Sequence, residues 1–311
     1  MKVYNSLDEF EKVANGVITI GTFDGVHIGH QRIISSLKQL AAEKNGETIV
    51  LTLFPHPRMV LFPDDNDLKL ISTIEERIAL FEKYGIDHLI VHPFTKEFSR
   101  QTATEFVRDI LVNKMGTKTL VIGYDHRFGR HREGTFELLE ELSSLYNFDL
   151  VEIPEQDVNN IAVSSTKIRT AIFDGDITIA NEFLAHDFEF SGKVIHGAHV
   201  GKSIGYPTAN LEIADKYKLI PPEGIYAVYV RVDLEKFKGM LYIGNRPTLN
   251  GTKQSIEVNI LDFNRDIYGK TITVVMKQKI RNDMKLNSLE ELKSQIDLDK
   301  IETIKALSMA Y

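Results

Sequence analysis

The sequence has no cysteine in its 311 residues. Disulfides, cysteine nucleophiles and thiolate metal centres are therefore excluded. The same absence fits a reducing compartment. A long apolar run is also missing. Nothing approaches the roughly 20 residues that a membrane-spanning helix needs. The first segment, MKVYNSLDEFEKV, is amphipathic and acidic and has no apolar h-region or cleavage pattern. The expectation is an intracellular, cytoplasmic protein that works away from membranes. Basic excess is lacking as well: 37 Lys and Arg stand against 44 Asp and Glu, a net charge of -7. That disfavours sequence-independent nucleic-acid binding, which needs a broad basic surface. The 17 Phe and 11 Tyr form no basic–aromatic stripe that would reverse this. A local pocket on an acidic protein can still be positive and take an anion.

What is present is an ordinary globular composition, 43% hydrophobic and 26% charged, which excludes disordered, collagen-like and coiled-coil states. At about 150 residues per domain, the length predicts two domains. Residues 1–185 alternate strand-like and helix-like segments. Apolar runs at Val17–Ile20, Thr48–Phe54, His88–Val91, Thr119–Ile122 and Phe148–Ile153 are separated by helical spacing over 28–44, 74–84, 104–113 and 133–146. Short, nearly continuous apolar strands between helices predict a doubly wound α/β domain, with ligands at the carboxyl ends of the strands. Residues 186–311 change to period-two alternation and frequent turns. Candidate strands at 224–232, 239–243, 256–260 and 271–276 predict a small antiparallel β-barrel or sandwich. Helical spacing returns over 288–311, where Ser288 and Glu291 have capping-box spacing.

Three segments of the first half carry chemistry. GTFDGVHIGH, residues 21–30, follows a buried strand and opens a helix. Gly21, Gly25 and Gly29 permit a tight turn, and His27 and His30 share the first helical turn beside unpaired N–H groups. Two readings stand: a glycine turn with exposed histidines, or a phosphate cradle acting by charge stabilisation, since no good nucleophile is present. The placement of the full HxGH between strand and helix favours the cradle. Zinc is the weaker reading, because no third ligand lies at ordinary spacing. GYDHRFGRHREG, residues 123–134, brings Asp125, Arg127, Arg130 and Arg132 to another strand end, as a solvated loop or as nucleotide contacts. VSSTKIR, residues 163–169, reads alone as an N-cap and surface helix whose Lys167 and Arg169 can reach phosphates.

In the second half, GKVIHGAHVGKSIGYPTAN, residues 192–210, contains Gly-Lys-Ser but is no Walker P-loop. Its glycine spacing is one residue short, and Pro207 disfavours the helix that a P-loop must open. The better reading is a glycine-rich strand–loop–strand that wraps phosphates. Thr208 and Asn210 point the same way from an extended segment and are hard oxygen ligands suited to Mg²⁺ held by a nucleotide. A Pro-initiated turn is the alternative for this short motif alone. Glu257 lies on the strand phase opposite Ile256 and Val258, which suits a solvated face or a site.

Taken together, GTFDGVHIGH, GYDHRFGRHREG and VSSTKIR resemble the FMN adenylyltransferase branch of the Rossmann-like nucleotidylyltransferases. The resemblance implies that His27 and His30 sit on ATP phosphates within a loop of Gly21, Phe23, Asp24, Gly25 and Gly29. It also implies that Ser165, Thr166 and Arg169 hold the nucleotide, with Asp125 and Arg132 in the matching loop. His126 departs from the Phe common there. GKVxxGxxxGxxxGYPTAN, PPEGIY (221–226), IGNRPTLNG (243–251) and EVNILDFNRDIYG (257–269) resemble flavokinase. That resemblance implies ATP and flavin binding by Gly192, Lys193, Gly197, Gly201, Gly205, Pro207, Thr208, Asn210 and Arg281. It further implies Mg²⁺ on Thr208 and Asn210 and a catalytic base at Glu257. Asn259, Asp283 and Leu286 depart from the usual His, Glu and Phe. Both halves, in this order, resemble the bifunctional flavin-cofactor enzymes. These phosphorylate riboflavin to FMN with ATP, then join AMP from a second ATP to FMN, giving FAD and pyrophosphate. Two narrower readings are a riboflavin kinase alone and a non-catalytic flavin- or nucleotide-binding regulator. The intact HxGH and SSTxIR argue against the first, and a candidate base argues against the second.

Overall fold

The computed structural model describes residues 1–64, 68–123, 127–153, 157–158, 161–197, 201, 204–248 and 251–309. By packing, the chain separates into two compact units. One holds residues 1–68 and 72–164, the other residues 69–71 and 165–311.

The first unit is a parallel sheet in the order β1 (Lys2–Tyr4), β4 (His88–Pro93), β3 (Thr48–Phe54), β2 (Val17–Ile20), β5 (Thr119–Gly123) and β6 (Asp149–Ile153). Strand alternation sends side chains to two opposite cores. Ile18, Ile20, Ile49, Leu51, Leu120 and Ile122 meet Phe106, Val107, Leu111, Leu139 and Leu142. Val17, Val50, Leu89 and Val121 meet Ile34, Leu37, Ala41 and Phe81. The second set is covered by α1 (Ile28–Glu43) and α3 (Ile74–Lys83), with the short α2 (Pro57–Leu61) between them in the chain. The first set is covered by α4 (Ala103–Glu105) with its π-helical continuation Phe106–Lys114, and by α5 (Phe136–Tyr146). Burial on both faces is why β2 and β3 read as continuous apolar runs. A small hairpin, β7 (Asp157–Val158) and β8 (Ile161–Ala162), follows β6.

Three local features depart from the sequence reading. The N-terminal residues form β1, an edge strand too short for its period to show. The helix expected from 104 is π-wound over Phe106–Lys114, and Met115 N–H accordingly reaches Ile110 O, five residues back. The helix expected from 133 starts later, because Thr135 caps it by accepting from Leu138 N–H.

The second unit begins with α6 (Ser165–Asp174) and α7 (Ile177–Leu184). A closed antiparallel barrel follows, ordered β10 (Ala209–Glu212), β13 (Gly251–Ile260), β12 (Glu235–Thr248), β11 (Gly224–Val232), β14 (Thr271–Arg281) and β9 (Glu189–Ile195). Closure leaves no free sheet edge. α7 is bound to the barrel through Asn181, whose Nδ2 donates to Met276 O at 2.9 Å and whose Oδ1 accepts from Phe188 N–H at 2.7 Å. The terminal helix α8 (Leu289–Met309) is capped by Ser288 Oγ accepting from Glu291 N–H. Glu291 returns the bond to Asn287 N–H rather than to Ser288 itself.

Candidate functional site

The turn after β2 carries the first site. His27 is the N-cap of α1, and its Nδ1 accepts from His30 N–H at 3.4 Å. An acceptor at Nδ1 places the proton of a neutral His27 on Nε2. The two imidazoles stack at 3.6 Å between centroids and 19° between planes. Gly29 makes this possible: a Cβ there would stand 3.2 Å from His27 Cε1 and 3.3 Å from Nδ1. Phe23 lies edge-on to His30 at 5.1 Å. Burial first, then the neighbouring His27 and Arg77, hold the His30 pKa well below its ordinary value. His30 is therefore neutral near pH 7, and among the described residues its buried Nδ1 has no protein partner.

The turn is held from below by residues that the motif does not contain. Phe23 and Val26 have φ of +49° and +40°, the left-handed region that non-glycine residues rarely adopt. Asp24 is buried, and its Oδ1 accepts from Ser72 N–H at 3.0 Å and Ser72 Oγ at 3.3 Å. Gly25 N–H donates to Ser72 Oγ at 2.9 Å. Arg77 donates to Thr22 O at 2.8 Å and to Ser72 O at 3.3 Å. Phe23 and Asp24 thus point into the unit and shape the loop. Ser72 was missed because it lies far along the chain. Arg77 had a signal, a charge within the apolar stripe of Ile74, Ile78 and Phe81.

Asp125 and His126 lie outside the described residues. Arg132 is exposed in a short 3₁₀ turn, with φ of +60°. Ser165, Thr166 and Arg169 open α6 in the second compact unit, where Arg169 Nε donates to Lys69 O at 2.9 Å.

The second site centres on β10 and β13. Their register sets Asn210 opposite Glu257. Both Glu257 oxygens accept hydroxyl bonds, Oε2 from Thr208 Oγ1 at 3.0 Å and Oε1 from Ser255 Oγ at 2.9 Å. Thr208, Asn210 and Glu257 are thereby brought together by the register of β10 and β13. Ser255 was missed, although its place two residues before Glu257 puts it on the same strand face. Asn259, a further two residues along, is buried and donates from Nδ2 to Pro207 O at 2.7 Å, fixing the carbonyl ahead of Thr208. Gly197 leaves room for the Asn210 amide, because a Cβ there would fall 2.1 Å from Nδ2. Gly192 is buried in β9 beside exposed Lys193, and Gly201 and Gly205 bracket a turn closed by Tyr206 N–H to Gly201 O at 2.8 Å.

Tyr242 pairs with Glu257 across β12 and β13, and its hydroxyl lies 3.2 Å from Asp283 Oδ2. Burial, with Asp283 second, pushes its pKa up to about 12, so it remains a protonated hydrogen-bond donor. Arg281 grips Asp299 of α8 with two bonds, Nε to Oδ1 at 2.8 Å and Nη2 to Oδ2 at 2.7 Å. Leu286 is half-buried just beyond β14.

No cluster of three His, Asp or Glu side chains among the described residues forms a self-contained metal site. A cation shared with a nucleotide needs less. Thr208 Oγ1 spends its proton on Glu257 and keeps lone pairs, and Asn210 has the space that Gly197 provides. Two hard oxygens with the remaining positions left to phosphates and water fit Mg²⁺.

Comparison with known proteins covers both halves of the chain. A family model described as FAD synthetase matches residues 10–167, and one described as Riboflavin kinase matches residues 184–307. The bifunctional riboflavin kinase/FMN adenylyltransferase of Escherichia coli (strain K12) is 37% identical over 286 residues, covering 92% of this chain and 90% of its own. The Bacillus subtilis (strain 168) enzyme of the same description is 36% identical, covering 96% and 94%. A crystal structure described as a macrolide-efflux protein from Streptococcus pneumoniae superimposes with a TM-score of 0.90 at 31% identity, covering 97% of this chain and 98% of that one. In the described residues no helix is long and apolar enough to cross a membrane. The chain belongs to the bifunctional riboflavin kinase/FMN adenylyltransferase family, and it makes FMN from riboflavin and ATP in its C-terminal part and FAD from FMN and ATP in its N-terminal part.

Proposed function

We propose that Glu257 is the base of the kinase step and that His27 and His30 are the phosphate-binding pair of the adenylyl step. The observation that carries the first assignment is the double hydroxyl grip on Glu257 across from Asn210. Glu257 takes the proton of the ribityl 5′-hydroxyl as that oxygen attacks the ATP γ-phosphorus, and ADP leaves. Thr208 and Asn210 hold Mg²⁺, which neutralises phosphate charge when bound. Gly192, Lys193, Gly197, Gly201, Gly205 and Pro207 supply the backbone and side-chain wrap around the nucleotide. Arg281 serves the flavin side through its hold on Asp299, which sets the edge between β14 and α8.

In the adenylyl step an FMN phosphate oxygen attacks the ATP α-phosphorus and pyrophosphate leaves. No base is required, because that oxygen is already ionised. The chain's part is to bind and orient. His27 donates from Nε2, neutral His30 adds a second polar edge, and the turn of Gly21, Phe23, Asp24, Gly25 and Gly29 aims the α1 N-terminus at phosphate. Ser165, Thr166 and Arg169 hold the nucleotide, and Asp125 and Arg132 of the 123–134 segment are further candidate contacts. We assign the adenylyl activity to residues 1–185 and the kinase activity to 186–311, working in the cytoplasm on ATP, riboflavin, FMN and FAD.

Asn210→Ala tests the metal end. Chromatography of products formed from riboflavin, ATP and Mg²⁺ is expected to show a raised Mg²⁺–ATP requirement for FMN, with FAD from supplied FMN unchanged. An unchanged Mg²⁺–ATP requirement would remove the Thr208–Asn210 assignment.

A further inference from the structure

We propose that Arg77 is a positioning residue for adenylyl transfer, a buried cation that fixes the 21–27 turn beneath the histidine pair. The proposal rests on the reading of His27 and His30 as the groups that face the phosphates.

Arg77 stands where α3 would ordinarily place an apolar side chain. It is 1% exposed, between Ile74, Ile78 and Phe81 of the same helix face. A guanidinium there is costly to desolvate, and a well-packed hydrophobic residue would serve folding as well or better. Its three hydrogen bonds all serve one feature. Nη1 reaches Thr22 O at 2.8 Å, Nη2 reaches Ser72 O at 3.3 Å, and Nε reaches Ser72 Oγ at 3.4 Å. Ser72 passes this hold to the turn, accepting from Gly25 N–H and donating to Asp24. The segment so fixed contains two non-glycine residues at positive φ, Phe23 and Val26. Such backbone persists only where its surroundings over-determine it. Phe23 in turn abuts the His30 ring, so the network ends against the histidine pair.

The cation also acts through its field. Arg77 and His27 are the charged or titratable groups that oppose protonation of His30, in addition to burial. Asp24, Glu76 and Glu75 are the acids that face Arg77. Arg stays charged at any working pH. Removing that charge lets His30 accept a proton at higher pH than before. A residue that only fills space has no such effect.

The test is FAD formation from supplied FMN and ATP across pH, in the full chain, for Arg77→Gln, Arg77→Lys and Ser72→Ala, with thermal melts to count folded protein. Arg77→Gln is expected to lose about 100-fold in kcat, the size of a misplacement near 1 Å, and to move the acid limb of the profile to higher pH. Arg77→Lys keeps the charge and is expected to restore the acid limb and most of kcat. Ser72→Ala keeps the cation but removes the hydroxyl that Gly25, Asp24 and Arg77 share; a loss of kcat of about tenfold or more with an unmoved acid limb is expected. FMN formation from riboflavin stays unchanged in all three. Wild-type kcat per folded molecule and an unmoved limb in Arg77→Gln would overturn the proposal. If that variant does not fold, wild-type kcat in Ser72→Ala overturns it instead. The His27→Ala, His30→Ala double variant runs alongside. If it makes no FAD while Arg77→Gln and Ser72→Ala are normal, the Arg77 proposal alone fails. If it makes FAD at the wild-type rate, the histidine reading fails too.

Discussion

The turn after β2 and the β10–β13 strand pair, the two places we assign to ATP phosphates, are built on different principles. The turn offers a neutral His30 stacked on His27, a helix N-terminus and strained backbone, with its acid Asp24 buried and occupied by Ser72. The strand pair offers a carboxylate at the surface of a barrel, steadied by two hydroxyls. The difference follows the nucleophiles. A phosphate of FMN arrives ionised, so its site needs only to orient it and stabilise charge. A ribityl hydroxyl arrives protonated, so its site needs a base.

The widest way to break this contrast is Glu257→Gln, which keeps shape and removes the base. FMN formation is expected to fall by roughly 10² to 10⁴, the usual worth of a general base, while FAD formation from supplied FMN holds. Arg281→Ala comes next and acts on stability. It leaves Asp299, 2% exposed, as a buried carboxylate with no cation and only the Gln295 Nε2 hydrogen bond at 2.9 Å, a loss of up to about 3–5 kcal/mol that is read as a lower denaturant midpoint. Ser255→Ala sharpens the account of the base. Loss of one carboxylate hydrogen bond, about 1.4 kcal/mol or tenfold, should lower kcat for FMN with little change in the KM for riboflavin, and Ser255→Thr should restore it. The smallest effect belongs to Gly29→Ala. Its methyl group would press the His27 ring by a few tenths of an ångström at 3.2 Å, so FAD formation should fall only a few-fold and FMN formation should not move.

Much of this was legible in the sequence, for reasons particular to each part. β2 and β3 are buried on both faces, so their apolar runs announced a parallel sheet. HxGH and PTAN are local, so spacing alone placed His27 beside His30 and Thr208 beside Asn210. Glu257 could be put on a strand face but not beside Thr208, because barrel register is not written in either segment. Ser72 and Arg77 were invisible as partners of Asp24, since the parallel sheet brings together residues some fifty positions apart. α6 and α7 follow the α/β pattern in sequence, yet Asn181 fastens α7 to β14 and to Phe188 just before β9. Arg281 carried a motif, but its partner Asp299 sits on a helix whose buried face is partly polar, against the ordinary amphipathic rule.

The contrast between a site with a base and a site without one is tested most directly by assaying each half-reaction separately in two variants, Glu257→Gln and the His27→Ala, His30→Ala double. Riboflavin with ATP should yield FMN in the histidine variant at the wild-type rate and almost none in the glutamate variant. FMN with ATP should yield FAD in the glutamate variant at the wild-type rate, and at least 100-fold less in the histidine variant. Loss of both half-reactions in either folded variant, or undiminished FAD formation without the two histidines, would contradict it.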